Sequence, residues 1–145
     1  MKIFSKNLAL FCISTFLVMV LFRILMSYFL SIHYVTAAWG TSISWGLSMF
    51  FVGWYFGKKE CDELPFYQSG YRFHIATYVI FGLVSFSWFS VGMKAPQENM
   101  YQLNITMLLW GVCLLVHSII FFINKSGAIK GLNKSEIFEI GRAHV

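Results

Sequence analysis

The chain alternates long apolar blocks with short polar ones, and each apolar block is long enough to cross a membrane. About 20 apolar residues rising 1.5 Å each cross a hydrocarbon core of about 30 Å. On that measure spans are expected at about 8–30, 35–56, 73–93 and 104–123. The expected fold is an all-α integral membrane protein: four transmembrane helices in two hairpins, forming a single domain over residues 1–138.

The hairpins are separated by the interval from Gly53 to His74, the one substantial charged stretch between apolar blocks. Lys58, Lys59 and Arg72 bracket Glu60, Asp62 and Glu63, and Pro65 interrupts any helix that would cross. Trp54 and Tyr55 stand on one shoulder, Phe66, Tyr67 and Tyr71 on the other. Rings with a polar edge beside basic residues are what a membrane–water interface favours. A loop lying on the membrane surface is therefore expected over 57–71. Cys61, Asp62, Glu63 and His74 are all chemically able to ligate a metal, but their spacing matches no paired Cys or His pattern, and the interfacial reading stands.

Charge placement orients the hairpins. Lys2, Lys6, Lys58, Lys59, Arg72, Lys125, Lys130 and Lys134 fall on one side of the expected topology and Lys94 on the other. The excess of Lys and Arg on cytoplasmic segments places both termini in the cytoplasm. The expected location is the cell membrane, multi-pass, and the inner membrane if the source is bacterial. The first apolar run is longer than a signal-peptide core, and no small-x-small cleavage site follows it before Arg23, so it is read as a retained span.

Composition agrees with this reading. Of 145 residues 58% are hydrophobic, 19% aromatic and 12% charged, against about a quarter charged in soluble domains. The net charge of +5 sits in interrupted positions at the ends of apolar runs, so no nucleic-acid partner is expected. Cys12, Cys61 and Cys113 form no framework and are expected as free thiols. Residues 139–145, EIGRAHV, read as the in-frame translation of a common sequencing-library adapter, AGATCGGAAGAGCACACGTC. The hypothesis is that they are not native. Resequencing the locus from genomic DNA tests it, and a native codon run continuing through Val145 would overturn it.

The second span is rich in small residues. Thr36, Gly40, Ser44 and Ser48 recur every fourth position, while Ser42, Gly46, Gly53 and Gly57 form a set on the opposite side. Small residues let helix backbones approach closely inside lipid. Gly40, Ser44, Gly46, Gly53 and Gly57 are therefore the expected packing positions, with this helix sandwiched between neighbours. Thr77, Ser85, Ser87 and Ser90 of the third span are expected to bond back to their own helix. Asn124 to Gly127 are expected to end the fourth helix.

Arg23 is the most informative residue, because a charge inside a span is costly and needs a partner or water. One reading is an anion or headgroup site with Ser27, Ser87, Ser90 and Asn104 at similar depth; the other is that Arg23 extends along its apolar stem to the headgroups. His74, Cys113 and His117 are weaker candidates. His117 lies six residues, about 9 Å, from the end of its span, and the two histidines are expected at depths differing by more than a turn, which argues against a shared haem. No serine has a His and carboxylate set around it, and no acidic residue falls inside a span.

The chain is accordingly expected to be noncatalytic, without cofactor or metal. The leading expectation is an accessory or assembly subunit, with membrane lipids and either a second copy or another membrane protein as partners. The alternative is a small oligomeric carrier or flippase for an anionic or lipid substrate, using Arg23. A polar cavity at Arg23 favours the carrier; Arg23 facing lipid favours the scaffold.

Overall fold

A computed structural model describes residues 5–61 and 66–130, with side-chain surroundings for 5–60 and 70–123. Four helices follow in order: α1 Lys6–Ser31, α2 Val35–Cys61, α3 Phe66–Ser90 and α4 Met100–Lys130. Three segments are long and apolar enough to cross a membrane: Lys6–Ser31, Gly70–Ser90 and Met100–Ile123. Scattered Gly, Ser and Thr hold α2 below that apolarity.

Each helix end has a local cause. Ser5 caps α1, its backbone extended (φ −91°, ψ 156°) and its hydroxyl accepting the Leu8 N–H at 3.0 Å. Asn99 accepts the Tyr101 N–H through Oδ1 at 2.9 Å and opens α4. Two ends share one device, in which a residue of positive φ turns its own N–H and the next one back on the helix. After α3 this residue is Gly92 (φ 78°), with Gly92 N–H donating to Phe89 O and Met93 N–H to Trp88 O, both at 3.1 Å. After α1 it is His33 (φ 58°), with His33 N–H donating to Leu30 O and Tyr34 N–H to Phe29 O at 3.0 and 2.9 Å. The Tyr34 and Phe29 rings meet edge to face across that turn.

Three expected boundaries are corrected. The expected loop over 57–71 is mostly helical, because α2 runs to Cys61 and α3 starts at Phe66. Asp62 to Pro65 lie outside the described residues. Starting α3 early brings Tyr71 onto helix, stacked on Phe121 at 4.5 Å, packing that a turn at Ser69-Gly70 would forfeit. Likewise α4 continues through Asn124–Gly127 to Lys130; a helical glycine costs about 1 kcal/mol, which a long helix absorbs. The third helix stops at Ser90, three residues before the expected Met93, because Gly92 turns the chain. Residues 139–145 lie outside the described residues.

Packing is centred on α1 and α3. Helix α1 lies against α2 and α3, and α4 packs on α3 without approaching α1 or α2. The buried face of α1 is Leu8, Phe11, Thr15, Met19, Arg23 and Ser27, one residue per turn. Its lower half joins Phe73 in one core cluster, with Phe11 and Phe73 stacked at 4.4 Å. Met19 joins Phe81, Val84 and Leu103 in the other. Meanwhile Leu17, Leu21, Phe51, Leu83, Leu108 and Leu109 are exposed. Polar residues inside and leucines outside is the arrangement that an apolar surrounding requires.

The tightest surroundings of any described glycine are on α3 and α4. A Cβ on Gly82 would fall 2.9 Å from Met107 Cε, and one on Gly111 3.1 Å from Tyr78 Oη. On α2 a Cβ on Gly40, Gly46 or Gly53 would meet nothing within 4 Å, and one on Gly57 would reach the Phe73 ring at 3.5 Å. Among the described residues, then, the α2 small faces are largely uncovered.

Candidate functional site

Both hairpin turns lie at one end of the bundle, where Gln97 Nε2 approaches the His33 ring at 3.3 Å. Eight residues below the end of α1, about 12 Å by helical rise, Arg23 sits buried. Its Nη1 meets Glu98 Oε1 at 3.0 Å, with both side chains 8% exposed. The other Glu98 oxygen, Oε2, accepts from Ser27 Oγ at 2.8 Å and from the Ala95 N–H at 2.7 Å. Trp88 Nε1 donates to Ser27 Oγ at 2.9 Å, which leaves the Ser27 proton for Glu98. The Glu98 N–H in turn donates to Ala95 O at 3.0 Å, closing a tight turn over 95–98. One carboxylate is thus held by three donors from α1 and the α3–α4 connection. Charge-assisted bonds of this kind are the strong ones.

The network borders a cavity of about 690 Å³. Helices α1 and α3 contribute its floor through Phe22, Arg23, Phe81 and Phe89; α2 and α4, which do not approach each other, line it with Trp39, Trp45, Gln102, Thr106 and Trp110. Gln97, Glu98 and Asn99 lie at the turn end. The site is therefore aromatic along its length and polar at one end. Arg23 Nε and Nη2 are buried and have no hydrogen-bond partner among the described residues. Its guanidinium carbon lies 5.4 Å from the centre of the Phe89 ring, and Lys94 Nζ lies 5.6 Å from the same ring. Lys94 is exposed and does not line the cavity, whose charged lining is the paired Arg23 and Glu98.

The remaining expected residues fall as follows. Ser27 belongs to the network. Ser87 is exposed and lines a smaller cavity of about 270 Å³ with Phe16, Leu83 and Trp88. Ser90 is exposed and bonds to Phe86 O at 2.8 Å, and Asn104 is exposed on α4. Thr77 bonds back to Phe73 O at 2.8 Å, as expected, whereas Ser85 is fully buried with no partner for its hydroxyl. Gly40, Ser44 and Ser48 line a third cavity, about 340 Å³, between α1 and α2.

His74 and His117 meet, contrary to the expected depth difference. Their ring centres are 5.0 Å apart at 63°, and Tyr71 stacks on His117 while its hydroxyl accepts from Ser118 at 3.1 Å. The depth estimate failed because α3 starts earlier and α4 ends later than the apolar runs, so neither run end marks a common plane. Cys113, one turn from His117, is exposed, and no cluster of three metal-ligating side chains occurs among the described residues.

Glu98 was absent from the expected site because it lies between spans, in a connection that reads as nearly neutral. A signal was present: Arg23 is the one basic residue inside an expected span, and Glu98 the one acidic residue between the third and fourth. No protein-family model matches the chain, and no curated protein and no solved structure is significantly similar to it.

Proposed function

We propose that this chain is a four-span membrane protein, with both termini cytoplasmic, that binds the headgroup of an anionic lipid as a small noncatalytic carrier. The observation that carries the reading is the buried Arg23 beside the groove, whose Nε and Nη2 have no hydrogen-bond partner among the described residues. A guanidinium edge carrying two N–H groups matches a phosphate or carboxylate. Aromatic walls suit an apolar chain, and the space between α2 and α4 gives a lateral route from the bilayer. Together these features favour a carrier over a scaffold with a lipid-facing Arg23.

The test uses the tryptophans lining the groove. The purified chain is reconstituted in phosphatidylcholine vesicles with increasing dibrominated phosphatidylglycerol or dibrominated phosphatidylcholine. Bromine quenches indole fluorescence on contact. The anionic lipid is expected to quench at a several-fold lower mole fraction, Arg23→Lys to reduce that preference, and the double variant Lys58→Ala/Lys59→Ala to keep it. Equal quenching by the two lipids would rule the reading out.

A second reading, an accessory subunit, rests on the glycines of α2. Gly40, Gly46 and Gly53 have room for a close neighbour that the described residues do not supply. Gly46→Leu separates the two: loss of assembly with unchanged lipid preference favours the subunit role. Reporter fusions after Asn7, Lys59, Glu98 and Lys134 test the topology, with a cytoplasmic signal expected at all but Glu98.

A further inference from the structure

The Glu98 carboxylate is held as a bound anion would be. Arg23 Nη1, Ser27 Oγ and the Ala95 N–H converge on its two oxygens at 3.0, 2.8 and 2.7 Å. Two of these donors belong to rigid helix α1, whereas Glu98 itself lies in the nine-residue connection 91–99, on a short turn closed by one backbone bond. Trp88 fixes the Ser27 hydroxyl so that its proton points to the carboxylate. Two of the three donors are thus set by α1, with Trp88 of α3 behind Ser27, whereas the third donor, Ala95, and the anion itself belong to the connection between helices.

From this geometry we infer that Glu98 is an internal stand-in for the ligand: a monoanionic oxyacid head, the phosphodiester of a lipid, takes the Arg23–Ser27 cradle by displacing the Glu98 carboxylate, and the α3–α4 connection opens as it does so. The inference rests on the lipid-binding reading above. A single negative charge follows from the exchange, since one carboxylate leaves and one anionic group replaces it on the same guanidinium. Displacement also explains how a buried ion pair and a ligand site coincide. Arg23 always has a counter-charge, supplied by Glu98 when no lipid head is present, so the cost of an unpaired buried charge is never incurred.

The exchange predicts opposite effects from two substitutions. Glu98→Gln keeps the shape and the capacity to accept from Ser27 and Ala95 but removes the competing charge. The mole fraction of dibrominated phosphatidylglycerol for half-quenching is expected to fall by about fivefold, a change of about 1 kcal/mol. Arg23→Lys/Glu98→Gln is expected to lose most of that gain, because lysine lacks the planar fork. Glu98→Gln binding no tighter than the wild type, whose own preference still depends on Arg23, overturns the displacement and leaves the lipid-binding reading standing. No Arg23-dependent preference in any variant overturns both.

A second measurement needs no variant. Hydrogen exchange of the 91–99 amides in the wild-type chain is expected to speed up severalfold in phosphatidylglycerol relative to phosphatidylcholine vesicles, as the turn at Ala95–Glu98 opens. Exchange that is unchanged or slower in the anionic lipid, with quenching preference intact, shows that Glu98 stays in place and the inference is wrong.

Discussion

Two Arg–Glu pairs, the first buried and the second partly so, close the two ends of this bundle, and they are built differently. At the turn end Arg23 and Glu98 meet at 3.0 Å, and both carboxylate oxygens are hydrogen-bonded. At the other end Arg72 Nη1 stands 3.9 Å from Glu60 Oε1, and neither atom has a hydrogen-bond partner among the described residues. The second Glu60 oxygen accepts from Ser5 Oγ at 2.7 Å, and the same Ser5 hydroxyl caps α1. Glu60 therefore ties the start of α1 to the end of α2, and Arg72 of α3 stands at long range to Glu60. The first pair borders the 690 Å³ groove, while Glu60 and Arg72 line none of the three cavities described above. One pair is arranged around an anion; the other is a clasp between helices. The lesson is that burial and opposite charge alone do not mark a site: what separates the two is donor geometry and adjoining space.

The largest expected effect is at Arg23. Arg23→Leu strands a buried Glu98, and loss of one partner of a buried pair costs about 3–5 kcal/mol. Thermal unfolding in detergent should show the loss, and Arg23→Leu/Glu98→Leu should recover much of it. A single variant as stable as the wild type would falsify the buried pairing.

At the clasp the expected effect is smaller. Glu60→Gln keeps the acceptor for Ser5 and removes only the long contact to Arg72, so a loss of about 1 kcal/mol is expected. Glu60→Ala also removes the Ser5 bond and should cost about 1–3 kcal/mol. If Glu60→Gln proves as damaging as Arg23→Leu, the two ends are equivalent and the contrast fails.

The glycines sharpen the comparison between helix seams. Gly111→Ala pushes on the Tyr78 hydroxyl, which bonds Met107 O at 3.3 Å, and a loss of about 1–2 kcal/mol is expected. Gly46→Ala meets nothing within 4 Å among the described residues, and helix propensity favours alanine by about 1 kcal/mol. Unfolding of the monomer in detergent should rank Gly46→Ala above wild type and Gly111→Ala below it. The reverse ranking would show that the α2 face, not the α3–α4 seam, holds the fold together.

The smallest effect concerns His33. A non-glycine residue in the left-handed region costs about 1–2 kcal/mol, so His33→Gly should gain about 1 kcal/mol, less any contribution from its contact with Gln97. A loss of stability in His33→Gly would mean that the His33–Gln97 contact outweighs the backbone strain, making it part of what closes the turn end.

Helix number and rough position were legible from the sequence because lipid-length apolar runs are read one residue at a time. Arg23 and Ser27 stood out for the same reason: polar groups in apolar runs are conspicuous. Glu98 did not, since a carboxylate in a polar connection looks ordinary until its partner is known. The His74–His117 contact was missed because apolar runs mark lipid exposure, not helix ends. Nor could hydrophobic periodicity reveal the buried face of α1, since leucine and phenylalanine occur on every side of it.

By itself, then, the sequence determined four helical segments, their punctuation, and which residues would be costly to leave unpaired in an apolar surrounding. Tertiary structure alone decided the partners: that Arg23 takes Glu98 across 75 positions of chain, that Ser5 serves Glu60, that α4 leans on α3 and leaves a groove beside α2. The physical reason is range. Helix formation and burial preference act through neighbours three or four residues away, whereas an ion pair or a cavity exists only once separate helices have fixed their rotation and depth against each other.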